Sequence, residues 1–228
     1  MRASRYGIHV GDSEEITVRH ILTHTADGNP GEVYRYNGSN FSKLDLLLAQ
    51  ITGRSFEANL EKQIIEPLKL KNTGRATGEL KNRLAKAYQL SSDKVLMPGR
   101  YPTYFGSAAG IVASVSDFAL FLAAIDTHQL LSPETQELAF TPMESPSGEK
   151  FPYALGWFVE MIKGRKIIWH YGSWTCISSL VVVVPEENVS LILFANTNGL
   201  SGGFDLGSGR LQNSPAASAF IDIFVPEK

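Results

Sequence analysis

Apolar residues recur along the chain with two different periods. Leu44, Leu47, Leu48 and Ile51 follow the i, i+3, i+4, i+7 spacing of one helix face, which predicts a helix from Asn40 to Ile51 closed by Gly53. Phe56, Leu60, Ile64 and Leu68 predict a second helix from Ser55 to Glu66, with Pro67 at its end. Ser114-Val115-Ser116-Asp117 opens a third, whose apolar face is Phe118, Phe121, Leu122 and Ile125, and Ser132-Pro133-Glu134 reads as a further helix start. Thr17 is placed to cap a short helix through Leu22, before the turn formers of Thr25 to Gly31.

The last third changes period. Leu155 to Met161, Lys166 to Tyr171, Ile177 to Val184 and Val189 to Ala195 are β-rich runs, with turns at Gly164-Arg165 and Pro185 to Asn188. Runs joined by such short turns are antiparallel neighbours. A final helix is expected near Ser214-Pro215, carrying Phe220, Ile223 and Phe224. Residues 71–105 show no clear period and read as loop-like. The order predicts an α+β protein with helices packed on a mainly antiparallel sheet, as one compact unit or two lobes with a cleft. The expected parts are an arm over 1–15, a mainly helical lobe over 16–150, and the sheet with its closing helix over 151–228.

Composition narrows the function. Of 228 residues, 43% are hydrophobic and 19% charged, and the net charge is −2, as in ordinary globular domains. The absence of a Lys/Arg run argues against a nucleic-acid partner. The single cysteine, Cys176, allows no disulfide within the chain. No apolar stretch follows Met1 to Tyr6, and the longest apolar runs, such as Leu180 to Val184, have strand length. The expectation is a chain without signal peptide or membrane span, cytoplasmic as written.

A family resemblance adds chemistry. Ile16-Thr17-Val18-Arg19-His20-Ile21-Leu22-Thr23-His24-Thr25 resembles a stretch found in the group of class C β-lactamases, penicillin-binding proteins, D-Ala-D-Ala carboxypeptidases and esterases. Pro30-Gly31-Glu32, Tyr36, Leu47-Leu48, Ile51-Thr52-Gly53, Glu66 to Thr73, Ser107-Ala108-Ala109-Gly110, Val115-Ser116-Asp117 and His170-Tyr171-Gly172 follow in the group's order. The resemblance implies a β-lactamase/transpeptidase-like fold. It also implies hydrolysis of a small-molecule or peptide amide or ester through an acyl-serine, without cofactor or metal. Tyr36 matches the tyrosine that moves protons. His170 matches the polar residue of the His-x-Gly variant, donating to a substrate carboxylate or to Tyr36. Tyr171 and Gly172 border the substrate, and the Ser173 N–H matches the oxyanion donor. Proteins of this group are often periplasmic or secreted.

Two departures from the pattern matter. Gly38 stands where the group places an asparagine that clamps a substrate amide; Asn37 and Asn40 are the nearby amides. The group's Ser-x-x-Lys nucleophile should precede Ile16 by several dozen residues, and with it go N-terminal strands and the nucleophile helix. The chain holds two other matches, Ser91-Ser92-Asp93-Lys94 and Ser147-Gly148-Glu149-Lys150, both in polar, turn-rich stretches. The expectation is therefore a partial domain that does not acylate by itself and either self-associates or pairs with a chain supplying the missing part. The alternatives are a non-catalytic binding module and one half of a split hydrolase. The His-x-Gly form and Gly38 tilt the chemistry toward an esterase- or peptidase-like relative.

Three other constellations read as structural. His20 and His24 have the i, i+4 spacing of zinc ligands but lack the accompanying Glu and a third ligand. Cys176, six residues after His170, reads as a small buried strand residue rather than a nucleophile. Gly199, Gly202, Gly203, Gly207 and Gly209 lack the phosphate-cradle pattern and read as a mobile connection.

Overall fold

A computed structural model describes residues 1–227. In chain order the helices are α1 (Val18–Leu22), α2 (Gly38–Phe41), α3 (Leu44–Thr52), α4 (Phe56–Leu60), α5 (Glu66–Leu68), α6 (Gly78–Asn82), α7 (Val115–Asp126), α8 (Pro133–Ala139) and α9 (Pro215–Phe224). The strands are β1 (Thr73–Arg75), β2 (Tyr88–Leu90), β3 (Leu96–Pro98), β4 (Ile111–Ala113), β5 (Phe158–Ile162), β6 (Arg165–Ser173), β7 (Ser178–Val184) and β8 (Val189–Ala195). All strand pairs are antiparallel, so the expected α+β class with antiparallel sheets is what the chain adopts. Two compact units result: Met1–Leu80 with Tyr104–Gly156, and Lys81–Thr103 with Trp157–Lys228.

In the first unit, Thr17 caps α1 by accepting the His20 N–H, and His20 Nδ1 accepts the Thr17 N–H in return, both at 3.2 Å. This turn buries Val18 and Ile21 against Ala3, Ile8, Val10, Ile16, Leu44 and Leu47, so residues before Ile16 contribute to the core. Each large side chain buried this way is worth about 1.5–3 kcal/mol. Helix α3 starts at Leu44 rather than Asn40, because Asn37 caps a separate short turn, α2. Of the predicted stripe, Leu44 and Leu47 face inward while Ile51 is exposed. The predicted second helix continues through Pro67: α4 widens into a π turn over Glu61–Ile65 and resumes as α5. Proline has no N–H to give an α turn, and the wider turn before it accommodates that loss.

Ser114 caps α7, and the buried Asp117 accepts from the Asn72 N–H at 2.6 Å and the Thr73 hydroxyl at 2.9 Å. That carboxylate ties the helix start to β1, which pairs with β4. Residues 71–105, expected to be loops, thus contain short strands, each only three residues long and too short to show a period of two.

In the second unit β5–β6–β7–β8 form a meander in sequence order. Ile162 pairs with Arg165, so the β5–β6 turn is Lys163-Gly164, one residue earlier than the sequence suggests. Both turn residues have positive φ, 51° and 72°, as a two-residue type I′ turn requires. Phe158 stacks on Trp169 with centroids 4.2 Å apart, and Ile167, Leu180, Val182 and Val184 are fully buried beside them. Ser214 caps α9, which buries Ala217, Phe220 and Ile221. Lys163 Nζ donates to the Ile221 and Val225 carbonyls at the end of α9. Among the described residues no helix is long and apolar enough to cross a membrane.

Candidate functional site

In the first unit the residues around Tyr36 are organised by the segment after α1. His24 adopts a left-handed conformation (φ 54°) and is buried. Its carbonyl accepts the Arg35 N–H at 2.8 Å, and its Nδ1 accepts the Asn37 N–H at 3.1 Å. The imidazole lies 4.3 Å from the Tyr36 ring and 4.7 Å from that of Tyr153. Asp27 takes hydrogen bonds from Asn37 Nδ2 at 3.2 Å and Asn40 Nδ2 at 2.8 Å, while Asn37 Oδ1 accepts the Asn40 N–H.

That network bears on the missing asparagine. Gly38 is the first residue of α2, and a side chain added there would meet nothing within 4 Å. The two nearby amides have other work: both donate to Asp27, and Asn37 also caps α2. The position thus offers open space instead of an amide clamp.

His20 and His24 also separate in role. His20 belongs to the α1 capping box, with its pKa lowered by burial first and by positive charge nearby second, whereas His24 lies beyond the helix. Among the described residues no group of three or more His, Cys, Asp or Glu is placed to hold a metal ion.

In the second unit His170, Tyr171, Gly172 and Ser173 form the end of β6, paired with Val181, Leu180, Ser179 and Ser178 of β7. His170 Nδ1 lies 2.7 Å from the Tyr171 carbonyl, an acceptor only, so the neutral ring carries its proton on Nδ1. Loss of hydration lowers the His170 pKa to about 4, against the opposing pull of that carbonyl. His170, expected to donate to a substrate carboxylate or to Tyr36, therefore spends its Nδ1 proton on the Tyr171 carbonyl and leaves Nε2 as an acceptor. Tyr171 lies against Trp169 and Phe158, and burial, with Asp205 second, raises its phenol above the usual range. An added Cβ at Gly172 would stand 2.5 Å from Ser179 Oγ, so that hydroxyl would have to turn away. The Gly172 carbonyl accepts from the buried Ser201 hydroxyl at 2.5 Å. In a trans peptide the following N–H points opposite to that carbonyl, so Ser201 also fixes the direction of the Ser173 N–H. Ser173 itself is exposed.

The remaining candidates fall into structural roles. Ser91 and Lys94 lie in the β2–β3 turn, where the Lys94 N–H donates to the Ser91 carbonyl and Lys94 has φ 60°. Ser147 sits in a turn closed by Gly148, bonded to Ser145, and Lys150 pairs with Glu144 at 3.5 Å. Neither pair opens a helix, the setting that aligns Ser and Lys on one face. The Cys176 thiol is buried and donates to the Arg100 carbonyl. The glycine-rich stretch 199–209 is anchored at Ser201 and Leu206, both buried, rather than running as a free connection. Asp27, Ser179 and Ser201 were not singled out in the sequence, because single residues of common type carry no spacing signal until the chain folds, and His24 stood out only through its spacing from His20.

Comparison with known proteins identifies the family and the fold. The beta-lactamase family model matches residues 8–212. A relative named Protein flp from Staphylococcus aureus strain MW2 is 23% identical over 79% of this chain and 36% of its own length. A hydrolase of unguisins, ungD' from Aspergillus campestris, is 22% identical over 83% of this chain and 44% of its own. The chain thus spans well under half the length of these curated relatives. Among solved structures, an octameric penicillin-binding protein homologue from Pyrococcus abyssi superposes with a TM-score of 0.78 at 20% identity, over 90% of this chain and 57% of that one. A D-stereospecific amidohydrolase from Streptomyces gives 0.72 at 21%, over 95% and 75%. With the family model covering most of its length and the same fold in these structures, the chain belongs to the beta-lactamase family.

Proposed function

We propose that the chain carries parts of the acyl-transfer machinery of a serine hydrolase, while the acylated serine and its lysine come from outside these 228 residues. Tyr36 moves the proton, His170 accepts a hydrogen bond through Nε2, and the Ser173 N–H stabilises the oxyanion. Tyr171 and Gly172 border the substrate. The observation that carries this reading is the contrast between the residues. The peptides flanking Tyr36 and the His170–Ser173 strand end are held by specific hydrogen bonds, whereas both Ser-x-x-Lys matches stand in turns. Oriented donors and acceptors are what such chemistry requires.

The substrate class follows from similarity and from Gly38. Similar structures include a D-amino acid amidase from Ochrobactrum anthropi and the D-stereospecific amidohydrolase, which supports an amide substrate. The open space at Gly38 removes the amide clamp and favours an esterase- or peptidase-like substrate over a β-lactam. Intact-mass spectrometry after incubation with a fluorescent penicillin, and separately with an activated phenyl ester, tests the proposal. No adduct is expected on this chain. A stoichiometric adduct mapped to a serine within it would overturn the reading.

A second reading is a module that binds an amide or peptide without turnover, favoured by the unobstructed Gly38 position. Saturable binding of a D-amino acid amide by the chain alone, with no hydrolysis, would support it. Self-association is proposed from the octameric homologue, and light scattering measures it.

A further inference from the structure

We infer that His24 is the positioning residue for Tyr36, an inference that rests on the proton-moving role proposed for that tyrosine. His24 commits both of its polar acceptors to the residues on either side of Tyr36. Its backbone carbonyl takes the Arg35 N–H at 2.8 Å, and its Nδ1 takes the Asn37 N–H at 3.1 Å. The imidazole then packs on the phenol ring at 4.3 Å, backed by Tyr153 at 4.7 Å and Phe41 at 5.5 Å. One residue therefore fixes the peptide before Tyr36, the peptide after it, and one face of its ring.

A histidine that merely filled core volume would need only the ring contacts. Here the geometry also fixes a tautomer: Nδ1 accepts, so the ring proton sits on Nε2. It fixes a backbone conformation as well. With φ 54°, His24 occupies the left-handed region, which His adopts more readily than most residues with a Cβ. That turn is what lets the carbonyl and the side chain of the same residue reach two positions separated by Tyr36. Asp27 adds a second hold on the same segment through Asn37 Nδ2 at 3.2 Å. A proton donor needs its oxygen placed to within a fraction of an ångström, and a clamp on both neighbouring peptides supplies such placement.

Nuclear magnetic resonance on the isotope-labelled 228-residue chain tests this. In the unsubstituted protein, a through-hydrogen-bond coupling between the Asn37 amide nitrogen and His24 Nδ1 is expected; its absence overturns the inference without any variant. His24→Phe keeps ring packing and removes the acceptor. It is expected to move the Asn37 amide resonance upfield and to weaken the Tyr36–Tyr153 ring contacts. His24→Asn places a carbonyl oxygen near the Nδ1 position and tolerates the left-handed backbone, so it should restore both signals. If His24→Phe does not fold, His24→Asn decides: a folded His24→Asn protein whose Asn37 amide has lost its hydrogen bond while the Tyr36–Tyr153 contacts stay unchanged rules the inference out. Equal ring contacts in all three folded proteins do the same. Failure of the proposed function would appear instead as an adduct in the mass measurement, which leaves these resonances unchanged.

Discussion

A Cβ on Gly172 would stand 2.5 Å from Ser179 Oγ and 3.7 Å from Ser179 Cβ. The first distance is too close and the second an ordinary contact, so only the Ser179 hydroxyl has to turn to admit a side chain at this step of β6. Gly172→Ala is therefore expected to destabilise the chain by about 1 kcal/mol, the low end of the cost of overpacking, because the hydroxyl can turn away. In a Ser179→Ala background most of that cost should disappear. Urea denaturation of the four proteins of this cycle measures it, and a cost unchanged by Ser179→Ala would refute the steric account.

His170 predicts a pH dependence of stability. Its folded pKa of about 4 lies below the unfolded value near 6.5, so between those values the unfolded chain binds more protons. Its contribution is fully present above about pH 6.5 and is lost as pH falls toward 4. Because the residue is partly exposed, the loss stays below the roughly 3 kcal/mol that the full shift would give. The difference in unfolding free energy between the unsubstituted chain and His170→Gln, followed from pH 7 to 4, should shrink on acidification. A constant difference would remove His170 as the source.

Asp27 holds two side-chain amides, those of Asn37 and Asn40. Asp27→Ala leaves both without their acceptor. The expected loss is about 1–3 kcal/mol, toward the lower figure because water reaches part of this site. Thermal unfolding measures the loss, and amide exchange of residues 37–41 should rise as α2 loses its brace. Unchanged exchange there would show that the Asn37 cap holds the turn without help from Asp27.

Cys176 is buried and its thiol donates to the Arg100 carbonyl. A thiol held this way reaches an alkylating reagent only when the strand end opens, so iodoacetamide should react slowly with the folded chain and rapidly in denaturant. Equal rates would mean that the thiol is accessible in the native fold.

Much of the architecture was legible in the sequence because it is written in local terms. Thr17, Ser55, Ser114, Ser132 and Ser214 each cap the helix that follows, since a side-chain oxygen reaches an N–H two or three residues on whatever the rest of the chain does. The four long strands came from alternating or continuous β-branched runs, and the short turns between them forced antiparallel pairing. What escaped was either too short or too dependent on distant partners. Strands β1 to β4 have three residues each, and the π turn before Pro67 answers a packing problem that no local pattern records.

The sequence by itself determined the capped helices, the four-strand meander and the family membership carried by ordered motifs, and it proposed Tyr36 and His170-Tyr171-Gly172-Ser173 as site positions. Tertiary structure decided what those positions can do. The Tyr171 carbonyl turns His170 into an acceptor, the Ser201 hydroxyl aims the Ser173 peptide, and His24 grips the residues flanking Tyr36. The reason is the reach of the interactions. Capping and periodicity act over a few residues, whereas a proton's location and a peptide's direction are set by whichever acceptor folding brings within 3 Å.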